Sequence, residues 1–406
     1  MTQPIRLPEE APHEVRPLRS SIALVDRVRA RLASSGAEIT PALVADAVRE
    51  AAGGVVGHAE VAEALSLLRQ EFVGAGPLDP LLAEPGVTDV LVTGPREVWI
   101  DGAGGLRKTD VRFRDDEAVR RLAQRLALAA GRRLDDAQPY VDAWLPGTRP
   151  RGLVRLHAVL PPVAADGTCL SLRVLRPAAH DLPALCRLGT LDSATADLLR
   201  SIVDARLAFL VIGGTGSGKT TLLSALLGEV RPTERIVCVE DAAELRPSHP
   251  QFVRLTARPP NVEGSGEVTV RELVREALRM RPDRLVVGEV RGAEVCELLA
   301  ALNTGHDGGA GTLHANGPSE VPARLEALAA LGGLTRDALH SQLAAAVQVV
   351  LHVRRERDGA RRLVEIGVLE RTPAGVTVTP AWQGGDWGFG RPVLSTFLVE
   401  RGAAPC

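Results

Sequence analysis

Aromatic residues are scarce in this chain of 406 residues: 6 Phe, 4 Trp and 1 Tyr, or 3% of the sequence. So few rings leave little material for stacking bases, which weighs against a single-strand nucleic-acid platform. An excess of positive charge is also lacking. The 48 Lys and Arg residues are offset by 50 Asp and Glu, a net charge of −2 without the electrostatic footprint of a nucleic-acid binder. Cysteines number 5, an odd count with no C-x-x-C pair, which argues against a disulfide framework or a four-cysteine zinc site. Long apolar runs are missing. The best stretches, 207–212 and 343–353, are short or interrupted by Gln348 and His352, far from the roughly 18–20 residues that span a bilayer. Residues 1–20 are rich in Pro, Glu and Arg and have no apolar core of a secretory signal. What is present, 45% hydrophobic and 24% charged residues, excludes wholesale disorder and suits two or three domains. The expectation is a soluble, cytoplasmic chain.

Along the chain, residues 1–20 read as a flexible tail and 21–75 as a helical module. Ile22, Val25, Val28 and Leu32 recur at helical spacing, and Thr40-Pro41 supplies an N-cap and a first-turn proline. A mixed segment, 76–180, follows. It has strand-like pieces at 89–92, 97–100, 153–160 and 169–175, a helix at 116–130, and turn chemistry at Asp101-Gly102 and Gly104-Gly105. Residues 181–190 read as a linker. From 191 to 380, short apolar strands (207–212, 235–239, 284–287) alternate with helices, the pattern of a doubly wound α/β core whose strands are buried on both faces. Residues 381–406 read as a C-terminal tail.

The sharpest signal is Gly213-Gly214-Thr215-Gly216-Ser217-Gly218-Lys219-Thr220, a complete G-x-x-x-x-G-K-S/T phosphate loop. An apolar strand enters it and a helix, 221–227, leaves it. The glycines let consecutive N–H groups face phosphate oxygens, and the helix N-terminus adds positive potential. Lys219 is expected on the β- and γ-phosphates and the Thr220 hydroxyl on Mg²⁺, with Thr221 completing the nucleotide-binding set. The ligand is therefore expected to be ATP with Mg²⁺.

Two strands run into acids: Val237-Cys238-Val239 into Glu240-Asp241, and Leu285-Val286-Val287 into Gly288-Glu289. Carboxyl ends of parallel strands line the ligand crevice, so both carboxylates are expected near the phosphates. One would orient metal-bound water and the other act as general base. A glycine-rich stretch, 305–316 (GHDGGAGTLHAN), ends in His314 and Asn316 and offers an imidazole to the γ-phosphate.

Together GGTGSGKTT (213–221), VEDAAEL (239–245), RMRPDRLVVGEVRGAE (279–294) and NTGHDGGAGTLHAN (303–316) resemble the hexameric ATPases of type II and type IV secretion. Within that superfamily they are most similar to the tight-adherence (Tad/Flp) pilus assembly branch, the CpaF type. GPLDPLL (76–82), TDVRFRD (109–115) and VDAWLP (141–146) extend the likeness from about residue 71 to about 368. The resemblance implies a RecA-like P-loop NTPase domain preceded by a PAS-like α/β domain and a short N-terminal helical module, assembled as a homo-hexamer. It places Glu240 on the acidic box as water-activating base, Glu289 on the Walker B acid holding Mg²⁺ through water, and His314 on the histidine box. Arg155 and Arg173 fall on the N-domain arginines that clamp phosphate, an arginine-finger role. The stretch 146–155 is longer than the family's usual turn, which leaves Arg149 and Arg151 as alternatives to Arg155. Gly311 stands where the family more often has Ser.

The expected activity is ATP hydrolysis coupled to rigid-body domain movement that drives an inner-membrane platform protein, with no direct nucleic-acid contact favoured. A nucleic-acid motor is the first rival, with Arg271, Arg275 and Arg279 at four-residue spacing as its basic stripe. A slow nucleotide-dependent switch is the second.

Overall fold

The structure, a computed structural model, describes residues 28, 46–48, 50–51, 74–102, 104–145, 153–175, 180–261 and 264–406. The expected tail 1–20, most of the helical module 21–75, and Arg149 and Arg151 lie outside the described residues. The chain divides into two compact units, Met1–Val174 and Leu175–Cys406.

The first unit holds a six-stranded sheet. Its strands are β1 (Val87–Thr93), β2 (Val98–Gly102), β3 (Arg107–Lys108), β4 (Tyr140–Leu145), β5 (Leu153–Val159) and β6 (Cys169–Leu175), in the order β3-β2-β1-β6-β5-β4. A one-turn helix α1 (Asp79–Ala83) precedes it, and helix α2 (Asp116–Ala129) covers one face. The sequence explains α2 locally. Asp115 caps its first turn by accepting from the Ala118 N–H at 2.8 Å, Asp116 and Glu117 sit at the positive end of the helix dipole, and Val119, Leu122, Ala123, Leu126 and Ala127 form one buried stripe. Alternation along β5 and β6 buries Val154, Leu156, Leu170 and Leu172 against that stripe and turns Arg155 and Arg173 to the opposite face.

The second unit is built on nine strands: β7 (Phe209–Ile212), β8 (Ile236–Glu240), β9 (Phe252–Thr256), β10 (Arg284–Val290), β11 (Ala310–Leu313), β12 (Val349–Arg355), β13 (Arg361–Thr372), β14 (Gly375–Gln383) and β15 (Asp386–Trp387). Their order is β15-β14-β13-β12-β7-β11-β10-β8-β9. The run from β12 to β9 is parallel, and β13, β14 and β15 extend it antiparallel. Helices α3 (Leu182–Arg187), α4 (Ser193–Asp204), α5 (Lys219–Gly228), α6 (Val270–Leu278), α7 (Glu294–Leu302), α8 (Val321–Leu331), α9 (Arg336–Ala346) and α10 (Arg391–Glu400) complete the unit. Period-two alternation on β7 sends Phe209 and Val211 to a core with α3, α4, α5 and α10, and Leu210 and Ile212 to a core with α6, α7, α8 and α9. Helices therefore pack on both faces of a mainly parallel sheet, the α/β architecture anticipated from the sequence.

Two expectations about the chain's organisation need correction. Residues 181–190 are not a bare linker: capped by Asp181, α3 buries Leu182 and Leu185 in the second unit's core. Residues 381–406 are not a tail. Ala381 continues β14, β15 pairs with it, and α10 inserts Leu394 and Leu398 into the same core.

Candidate active site

The loop between β7 and α5 is held by backbone that only glycine satisfies. Gly213 has φ +149°, and a Cβ there would lie 2.2 Å from the Val353 carbonyl oxygen on neighbouring β12. Gly218, at φ +99°, turns the chain into α5, whose first residues are Lys219, Thr220 and Thr221. Gly214, Thr215 and Gly216 are exposed at the loop's apex, whereas Ser217 is buried with no hydrogen-bond partner for its hydroxyl among the described residues. Lys219 is only 8% exposed. Its ammonium folds back on the loop, donating to the Gly213 and Gly214 carbonyls, each at 3.0 Å. Burial pulls the Lys219 pKa down, and the nearby Glu289 carboxylate opposes that shift.

The two strand-end acids meet beside this loop. Pairing of Val239 with Val287 sets Glu240, the last residue of β8, next to Gly288 on β10, immediately before Glu289. The fit is close: a Cβ on Gly288 would lie 2.6 Å from Glu240 Cγ. Glu240 is 4% exposed. Its Oε1 accepts from the Leu245 N–H at 3.0 Å and the Glu244 N–H at 3.2 Å, and its Oε2 is buried without a partner among the described residues. Burial raises its pKa to about 7, with the two N–H groups holding back a larger shift. A carboxyl poised there can exchange a proton near neutrality.

Glu289 pairs through Oε2 with Arg291, and its Oε1 lies 2.7 Å from His314 Nε2 at the end of β11. The same Nε2 lies 3.3 Å from Lys219 Nζ. One ring nitrogen cannot donate to a carboxylate and accept from an ammonium at once, so the tautomer of His314 is tied to which neighbour it serves. Burial, then the Lys219 charge, hold its pKa below the usual value. Thr312 fixes this edge by donating to the Gly288 carbonyl at 2.7 Å. Gly311 is also crowded, since a Cβ would lie 3.1 Å from the Val287 carbonyl, which accounts locally for a side chain being absent there. Beside the loop, a cleft of about 290 Å³ is lined by Gly213, Gly214, His314, Asn316, Glu320 and Arg324.

His314 thus contacts both Lys219 and Glu289, with Glu240 alongside. This constellation fits a phosphorylated ligand: a glycine cradle, a buried cation held by two carbonyls of its own loop and one imidazole nitrogen, and buried oxygens on Ser217 and Glu240 without a partner among the described residues. For Mg²⁺, the Thr220 hydroxyl and the Glu289 carboxylate are the fitting donors, since that ion characteristically takes few protein ligands beside phosphate and water. Arg155 and Arg173 belong to the first unit. Arg155 donates from both Nε and Nη2 to Asp142 and lies 5.8 Å from the Trp144 ring centre, while Arg173 donates to its cross-strand neighbour Asp89 at 2.8 Å. Adjacent strands put both arginines on the face of their sheet away from α2, each engaged by a carboxylate that a phosphate would have to displace.

Arg361, on β13, went unread in the sequence. It donates from Nε to the Gly216 carbonyl at 3.0 Å. The signal was available, because Asp358-Gly359 between two basic runs is hairpin chemistry that returns the second run toward the sheet edge carrying the phosphate loop.

Residues 71–369 match the family described as type II/IV secretion system protein. A Mycobacterium tuberculosis protein bearing a provisional conjugal-transfer name is 68% identical over 329 residues, covering 81% of this chain and 94% of that one. The type IV secretion system protein PtlH of Bordetella pertussis is 33% identical over 327 residues, covering 73% and 94%. Among solved structures, the Legionella pneumophila ATPase DotB aligns with TM-score 0.51 at 20% identity over 70% of this chain and 77% of that one. The pilus retraction motor PilT with bound ADP aligns with TM-score 0.51 at 20% identity over 80% and 87%. Both structural likenesses concern the fold. Among the described residues, no helix is long and apolar enough to cross a membrane.

Proposed function

Because this chain belongs to the type II/IV secretion system protein family, we propose that it is an ATP-hydrolysing ring motor of a secretion or pilus assembly system. The observation that carries this is the contact cluster of Lys219, Glu289 and His314 at the phosphate loop, with Glu240 beside it and poised near neutral pH.

Lys219 exchanges the Gly213 and Gly214 carbonyls for the β- and γ-phosphates of ATP, a replacement of weak acceptors by anionic ones. Thr220 and Glu289 hold Mg²⁺, Glu289 through water. When bound by these residues, Mg²⁺ would supply neutralisation of the phosphate charge. Glu240 takes the proton of the attacking water through Oε2, the oxygen left unpartnered by the Leu245 and Glu244 amides. His314 responds when Lys219 leaves it, by turning its Nε2 hydrogen bond to Glu289. Arg173 and Arg155, held by Asp89 and Asp142, are the arginines that the family resemblance assigns to neutralising charge on the γ-phosphoryl group. The working form is a homo-hexamer in the cytoplasm. It acts on an inner-membrane platform protein and belongs to the tight-adherence pilus branch.

The 68% identity to a protein with a conjugal-transfer name favours a second reading, a motor for nucleoprotein transfer. Local electrostatics oppose direct DNA contact. Arg271 and Arg275 both bond Glu297, at 2.7 and 2.6 Å, and Arg279 pairs with Glu276, so the basic stripe is largely compensated. Steady-state phosphate release by the purified chain tests the proposal. Glu240→Gln should lose turnover by roughly 100-fold or more while still binding ATP. Wild-type turnover indistinguishable from zero with the platform protein present would favour the switch, and strong stimulation by single-stranded DNA would favour the nucleic-acid motor.

A further inference from the structure

We propose that Arg355 and Arg361, a cross-strand pair on the β12–β13 hairpin, form a second cationic arm of the phosphate site that contacts the nucleotide's phosphate chain. The inference rests on the ATP-binding reading above and assigns to it two residues that none of the sequence motifs contains.

Strand register supplies the first argument. Arg354 pairs with Arg362 and Arg355 with Arg361, so four guanidinium groups occupy two successive rungs of one hairpin. Side chains on successive rungs point to opposite faces. One face turns from the phosphate loop. There Arg354 is neutralised by Glu356 at 2.8 Å, and Arg362 donates to the Gly189 carbonyl at 3.4 Å. The other face lies on the loop. Arg361 donates from Nε to the Gly216 carbonyl at 3.0 Å, and Arg355 Nη1 lies 4.0 Å from where a Gly216 Cβ would stand.

Charge balance supplies the second. Like charges directly opposite on a two-stranded ladder repel unless a counter-charge lies between them. Among the described residues, neither Arg355 nor Arg361 has a carboxylate within ion-pair distance, in contrast to Arg354 on the adjacent rung. An anion at the loop is the missing counter-charge, and a nucleotide's phosphate chain is the anion such a loop takes.

Space supplies the third. A Cβ on Gly218 would lie 3.2 Å from Arg361 Cδ, so this glycine lets the arginine stem lie against the loop where α5 begins. Tethered by Nε, the Arg361 fork retains its two Nη groups for a bidentate phosphate contact. The arm rides on β12, a direct neighbour of β7, so its position relative to the phosphate loop is set by one continuous sheet.

Equilibrium binding of ATP, ADP and AMP to the full chain tests the arm at several salt concentrations, with wild type, Arg361→Gln, Arg361→Lys, the double variant Arg355→Gln/Arg361→Gln, and Lys219→Ala. The expected result is about tenfold weaker ATP binding for Arg361→Gln and about a further tenfold for the double variant. The loss should be larger for ATP than for ADP or AMP, with a shallower salt dependence and partial recovery in Arg361→Lys. A purely structural role would weaken all three nucleotides equally and leave the salt slope unchanged. Lys219-dependent binding that the arginine variants leave at the wild-type level, or tighten, overturns the arm and leaves the ATP reading intact. Wild-type binding that does not depend on Lys219 overturns both.

Discussion

Replacing Glu240 by Gln has a consequence for stability as well as for turnover, and its sign is fixed by the burial of the carboxyl. In the folded chain Glu240 titrates at about 7, against an ordinary value of 4.5. Between those pH values the unfolded chain has released the proton and the folded chain still holds it, so wild-type stability falls as pH rises through the window and levels off above about 7. The gap corresponds to about 3 kcal/mol at 1.36 kcal/mol per pH unit, and the carboxyl's near-complete burial makes it a property of the folded interior rather than of solvent. Glutamine keeps an acceptor for the Leu245 and Glu244 amides but places an N–H₂ group where Oε2 has no partner. That adds a penalty independent of pH, so the informative quantity is the change with pH and not the offset. Urea unfolding of both proteins from pH 4 to pH 8 should show the stability difference moving by about 3 kcal/mol in favour of the variant. Curves that stay parallel across that range would refute the poised-carboxyl argument. The same titration governs catalysis: turnover should rise with pH through about 7 as Glu240 ionises, then plateau.

Gly288→Ala places a methyl group 2.6 Å from Glu240 Cγ, and should cost about 1–3 kcal/mol and reduce turnover well before it reduces ATP affinity, read by parallel unfolding and kinetic measurements. Arg284, 1% exposed, donates to Glu234 at 2.8 and 3.2 Å and to the Val203 carbonyl at 2.8 Å. Arg284→Met leaves the buried Glu234 carboxylate with Arg206, at 3.5 Å, as its remaining ion partner and should destabilise the chain by about 3 kcal/mol in urea, much of it recovered by adding Glu234→Leu.

What could be read in the sequence was whatever nearby residues dictate. The phosphate loop was legible because its glycines, Lys219 and Thr220 act at fixed spacing between a strand and a helix. Glu240 and Glu289 were legible because each ends a continuous apolar run, which marks a buried parallel strand whose carboxyl end faces the ligand crevice. By contrast, β11 reads in sequence only as a glycine-rich stretch: Ala310 and Gly311 carry little β propensity, and the strand state comes from pairing with β7 and β10 on either side. Residues 381–406 gave no periodic signal, because Gly384, Gly385 and Gly388 interrupt the pattern just where β14 turns into β15. The arginines of the β12–β13 hairpin fall in none of the sequence motifs, and only the strand register reveals which of them lie on the loop. The exclusion of a Cβ at Gly288 by Glu240 is likewise a contact between residues distant in sequence.

Phosphate release from ATP by the purified full chain, measured beside Lys219→Ala, tests the central claim most directly. In the proposed function, Lys219 is the cation that meets the β- and γ-phosphates. The account predicts Mg²⁺-dependent turnover by the wild type, and loss of both turnover and ATP binding in the variant. Turnover that survives Lys219→Ala at the wild-type rate would contradict it.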